Sequence, residues 1–224
     1  MLAYISWHRP AASVEPAAYE HALEQFHRSL AHQPPCGFRG SAAFRAPQLP
    51  WLVLTGAETT APAAAETPVR ASAETTAPDA AGVGAAAGPD YEDWYLLDDW
   101  AAVGVLEEAA VAHGHVSLHD RVAARAEVAT GAVYRLVEGH ARLGEARVAI
   151  WVARARGHGR PSLAALLGDG MDPACGCLWR RCLGLGPAPE YCLLAAEPPA
   201  GVGAGRLPKG WSASTLAREP LWHG

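Results

Sequence analysis

The stretch CGCLWRRCLGLGPAPEYCLLAAE, residues 175–197, decides how the chain is read. It holds four of the five cysteines, so two readings compete: a metal site, or one hairpin of a sheet that occurs twice. Cys175 and Cys177 lie two apart and share one face of an extended strand, and the Cys-x-x-Cys knuckle of structural zinc sites is missing. A Cys-Gly opening, a turn punctuated by Gly184, Gly186 and Pro187, and the string Glu190-Tyr191-Cys192-Leu193-Leu194 together read as a hairpin. Cysteines placed this way act as small apolar residues.

The same order stands earlier in the chain. Cys36-Gly37-Phe38 opens a run ending near Pro47, and Asp93-Trp94-Tyr95-Leu96-Leu97 supplies the acidic-aromatic-x-Leu-Leu string. Between them, residues 55–90 are nearly all Ala, Thr, Glu, Pro and Gly, and Ala-Glu-Thr-Thr-Ala-Pro occurs at 57 and again at 73. With so few large apolar groups, such a segment does not offset the entropy of ordering it, and a disordered insertion in the first hairpin is expected.

Outward from each hairpin, Ala3–His8 and Val148–Ala153 read as strands of β-branched and aromatic residues. Each precedes a helix. In Pro16–Gln33, Tyr19, Leu23, Phe26 and Leu30 form one apolar stripe, whereas the counterpart, Ser162–Leu167, is much shorter. After the first hairpin come a helix-like Trp100–Ala112 and a strand Ala132–Val137. The second half offers a Gly-rich loop at Pro198–Lys209, where a helix is lost, and then Ser214–Trp222. The expected fold class is α+β: tandem ferredoxin-like βαββαβ repeats, residues 1–140 and 141–224, packed sheet against sheet as an intramolecular α+β barrel.

Half of the 224 residues are hydrophobic, enough for a sizeable core. A formal net charge of −5 gives no basic footprint, so neither nucleic acid nor an anionic membrane is an expected partner. The opening residues carry no basic, apolar leader and no spanning stretch follows, so a cytoplasmic protein with free thiols is expected, as a monomer or homodimer.

The duplicated pattern resembles the dimeric α+β barrel superfamily in a fused two-repeat form. Trp7-His8-Arg9-Pro10, a helix carrying Phe26-His27-Arg28, and then Pro34-Pro35-Cys36-Gly37-Phe38-Arg39 are most similar to its EthD-like group. The resemblance implies small-ligand chemistry and makes the helix histidine, His27, the first catalytic candidate.

His27 sits on the border of the apolar stripe, where an imidazole with a pKa near 6.5 can exchange protons between helix and sheet. His8 and Arg9 end the first strand at a rim where they can anchor an anionic or carbonyl group. Asp98 and Asp99 are acid–base candidates on opposite faces of the next strand. Asp99 shares a face with Tyr95, and Asp98 with Trp94, so either aromatic can line a substrate cavity. The competing assignment for both aspartates is the start of the following helix. Arg180 and Arg181 point to opposite faces, and an inward Arg180 needs Glu190 or a ligand anion. His113, His115 and His119 have metal-like spacing, but no further acidic or His set completes it, so no metal is expected.

The expected function is cofactor-free oxygenase or isomerase/cyclase-like chemistry on a small apolar organic substrate. The alternatives are a non-catalytic ligand-binding or scaffold protein of the same fold, and a haem-binding one. No nucleotide-binding glycine loop or nucleophile elbow is present.

Overall fold

The computed structural model describes residues 1–52, 88–111, 116–153, 176–197 and 211–224. The expected short helix 162–167, the loop 198–209, Cys175, His113, His115 and nearly all of the 55–90 insertion lie outside the described residues.

In the first half, β1 (Leu2–Pro10) leads to α1 (Pro16–His32), then β2 (Phe38–Ala46), β3 (Asp90–Leu97), α2 (Trp100–Val111), α3 (Val116–Ala123) and β4 (Ala126–Gly139). A short 3-10 turn at Leu143–Glu145 precedes β5 (Val148–Ala153), β6 (Gly176–Gly184), β7 (Tyr191–Ala195), β8 (Ser212–Ala217) and β9 (Glu219–His223). The class is α+β. Among the described residues, no helix is long and apolar enough to cross a membrane.

All nine strands belong to one sheet in the order β8-β5-β7-β6-β4-β1-β3-β2-β9, and every ladder is antiparallel. That order runs β4-β1-β3-β2 through the first half of the chain and β8-β5-β7-β6 through the second. The halves are joined by strands that change partner along their length. β4 pairs with β1 through Ala126–Arg135 and with β6 through Ala132–Gly139. On the other side β8 pairs with β5, and one residue later β9 pairs with β2. Arg218 alone separates the two edge strands, so the sheet must curl until its edges nearly meet.

Strand alternation gives this curled sheet two different faces. Trp7, Trp94, Trp151 and Trp179 are buried on the concave side with Phe44 and Tyr134, and Trp7 meets Trp151 edge-on at a centroid distance of 5.2 Å. Leu2, Tyr91, Tyr95, Leu97 and Val133 face the helices. α1 covers them with Tyr19, Leu23, Phe26 and Leu30, the stripe expected from spacing. Burying a Leu or Phe side chain contributes roughly 1.5–3 kcal/mol, so this stripe is what holds α1 to the sheet. The helix starts where Pro16 follows Glu15, whose carboxylate accepts the Ala18 amide at 2.8 Å.

The two halves look alike in sequence one residue away from how they are alike in space. Aligning the acidic-aromatic strings sets Tyr95 against Cys192 and Trp94 against Tyr191. Tyr95 faces the helices while Cys192 faces the concave core, and Trp94 and Tyr191 are likewise reversed. A slip of one residue exchanges the faces of a strand. The outer face of the second half accordingly carries Val148, Ile150, Val152, Leu178, Tyr191 and Leu193, an apolar set.

Candidate acid–base site

Asp93 sits in the middle of β3 with its side chain toward α1, 3% exposed. Sheet register sets it opposite Ser6 and sets His8 opposite Tyr91, so both His8 and Asp93 project into the layer between sheet and helix. His8 Nε2 lies 2.9 Å from Asp93 Oδ2, and its Nδ1 lies 2.7 Å from the Tyr19 hydroxyl on α1. These partners assign the tautomer: Nε2–H donates to the carboxylate, and Nδ1 accepts from the phenol. Tyr95 donates to the same Oδ2 at 3.2 Å.

His27 approaches from α1 on the other side. It is fully buried, stacks on Tyr95 at 5.2 Å with an interplanar angle of 7°, and places Nδ1 2.8 Å from Ser41 Oγ. Its Nε2 stands 3.3 Å from Asp93 Oδ1. That pair attracts electrostatically without hydrogen-bond alignment, since neither atom has a hydrogen-bond partner.

One carboxylate thus lies between two imidazoles. Burial pushes the Asp93 carboxyl up, but the adjoining His8 and His27 outweigh it and hold Asp93 well below the usual range. Desolvation raises the phenols of Tyr19 and Tyr95, which Asp93 reinforces, so both remain neutral donors.

A cavity of about 120 Å3 opens beside this cluster, lined by His8, Tyr19, Asp93 and Tyr95 and roofed by His119 and Val122 of α3. His8 and Tyr19 reach it, whereas His27 stands behind Asp93 and is not part of the lining. The cavity falls well below the roughly 300 Å3 at which drug-sized pockets begin.

His8, His27 and Tyr95 are therefore brought together, and the other expected site residues lie elsewhere. Arg9 turns to the concave side and forms a two-pronged pair with Asp90, at 2.6 and 3.0 Å. Trp94 is in the concave core, its Nε1 donating to Glu92 at 2.6 Å. Asp99 Oδ1 accepts the Ala102 amide at 3.1 Å at the start of α2, and Asp98 pairs with Arg39 on the surface at 2.5 Å. Arg180 is half-buried on β6, which β4 separates from β1.

Asp93 and Tyr19 escaped the sequence reading as site residues. Asp93 was legible in one respect: it alternates with Tyr91 and Tyr95, so whichever face held Tyr95 held it too. Among the described residues, no group of three His, Cys, Asp or Glu could hold a metal ion. Cys36, Cys177, Cys182 and Cys192 are free thiols, and burial pushes the Cys177 thiol up to about 11, leaving it protonated and unreactive.

No protein-family model matches this sequence, and no curated protein matches it. The geometry of the cluster is accordingly the ground for a functional reading.

Proposed function

We propose that the chain is an intramolecular α+β barrel of two ferredoxin-like repeats, of the EthD-like kind, and that its first repeat carries cofactor-free proton-transfer chemistry on a small, largely apolar organic molecule. The repeated strand order supports the first part. The second rests on one observation: the hydrogen-bonded run Tyr19–His8–Asp93 ends at a cavity.

The run has the logic of a catalytic triad with a phenol in the outer place. Tyr19 takes a proton from a carbon next to a substrate carbonyl as it passes its own to His8 Nδ1. The resulting imidazolium is held against the Asp93 carboxylate, and the electron pair of the broken C–H bond moves into an enolate. Tyr95 lines the same cavity, and turning its O–H from Asp93 Oδ2 to the enolate oxygen would supply a donor there. Returning the proton to a different carbon completes an isomerisation. His27 and Ser41 position Asp93 from behind. A cavity of this size fits a small molecule and not a porphyrin, which weighs against haem.

The test is proton exchange in D2O, followed by NMR with a small ketone such as 2-pentanone. Exchange at the carbon next to the carbonyl should exceed the buffer rate and fall about a hundredfold in Tyr19→Phe and Asp93→Asn, the size of a general-base contribution. A ketone that binds without exchanging would replace this reading with a non-catalytic binding protein.

A further inference from the structure

The cavity beside His8 discriminates on charge as well as size. At about 120 Å3 it is a little smaller than a buried cavity of about 150 Å3 that takes up benzene. A guest of about five or six non-hydrogen atoms fills such a space. Phe26, Val122, Ala123 and Ala129 supply apolar walls, and Ser6 adds a hydroxyl.

The charges near this space are one-sided. Asp93 is an ionised carboxylate at neutral pH, and its Oδ1 has no hydrogen-bond partner. His8 already spends both ring nitrogens, on Asp93 and Tyr19. Among the described residues, none lining the cavity is Lys or Arg. The arginines flanking the roof are engaged elsewhere: Arg121 reaches the Ser117 carbonyl and Gln25, and Arg125 reaches the Ala18 carbonyl. His119, the other histidine of the lining, sets Nδ1 3.4 Å from Asp120 Oδ1, so a second carboxylate entering here would lose its water beside existing negative charge with no Lys or Arg to meet it.

We propose that this site selects small uncharged molecules bearing one hydrogen-bonding carbonyl, ketones or amides, and rejects carboxylates of the same shape. The proposal rests on the reading of the cavity as the ligand site but does not require turnover there.

Three molecules of nearly equal size separate the outcomes: 2-pentanone, butyramide and butyrate, titrated into the whole protein at pH 7 and followed by saturation-transfer NMR. The ketone and the amide should bind, with butyrate at least tenfold weaker. Filling the cavity with Ala129→Phe should remove ketone binding, and Asp93→Asn should narrow the gap between ketone and carboxylate. Equal affinity for butyrate, ketone binding that survives Ala129→Phe, or binding of none of the three would each overturn the proposal. The wild-type comparison decides alone if Asp93→Asn does not fold. Charge selection without deuterium exchange keeps this inference and removes the catalytic one. Exchange accompanied by equal butyrate affinity does the reverse.

Discussion

Asp93 meets His8, His27 and Tyr95 at once. The folded chain keeps it ionised at pH values where the unfolded chain, with an ordinary Asp near 3.9, binds a proton. Its contribution to stability is thus present above about pH 4 and lost as the pH falls further toward the depressed folded-state value. Urea unfolding between pH 5 and pH 3 should show wild type losing stability more steeply than Asp93→Asn, and equal slopes would remove this role. At pH 7 the same substitution should cost about 1–3 kcal/mol, because the His8 Nε2–H and the Tyr95 hydroxyl lose their charged acceptor. Tyr19→Phe should cost about 1–3 kcal/mol by leaving His8 Nδ1 unpaired. Imidazole 15N shifts read the tautomer directly: in wild type the His8 proton should reside on Nε2, and a proton on Nδ1 would contradict the relay. His27 was legible because its helix spacing placed it at the border of a stripe. Asp93 was harder to see because an acidic residue at the head of an apolar strand also fits a solvated strand end.

At the scale of elements, legibility followed length and periodicity. α1 runs almost as read because a long amphipathic pattern is a strong signal and Pro16 marks its first turn. α3 carries little helical signal of its own, since eight residues hold barely two turns and the preceding glycine argues against helix. β4 spans 14 residues where a shorter strand was expected, because its ends serve two different partner strands and neither end alternates cleanly. It stops at Gly139, which has φ +81° and lies so close to β6 that an added Cβ would meet the Gly176 carbonyl oxygen. Gly139→Ala should therefore destabilise the chain by more than about 1 kcal/mol, measured by thermal or urea unfolding, through both left-handed strain and that clash. The outer face of β7 shows the limit of motif matching. Its string resembles that of β3, yet a shift of one residue leaves the second half with an apolar layer where the first has its histidines.

The molecule as a whole is closed by a buried charge pair. Arg218, the single residue between the two edge strands, places Nη1 2.6 Å from Glu92 Oε1 with both side chains 1% exposed. Its guanidinium lies 3.6 Å from the Phe44 ring centroid. Glu92 also accepts the indole protons of Trp7 and Trp94, at 3.0 and 2.6 Å. Arg218→Met alone should cost about 3–5 kcal/mol by stranding the Glu92 charge, whereas adding Glu92→Gln should restore part of that loss. A double-mutant cycle by urea unfolding measures the coupling, and strictly additive losses would show that the pair does not act as a clasp. The sequence by itself determined the local terms: the amphipathic helix, the run of short strands, the Cys-Gly hairpins, and a histidine poised at a helix border, all set by residues close together along the chain. Tertiary structure alone decided which strand face turned inward, that Arg218 meets Glu92 across 126 positions, and that His8, His27 and Asp93 converge, because register and curvature depend on how the whole sheet pairs.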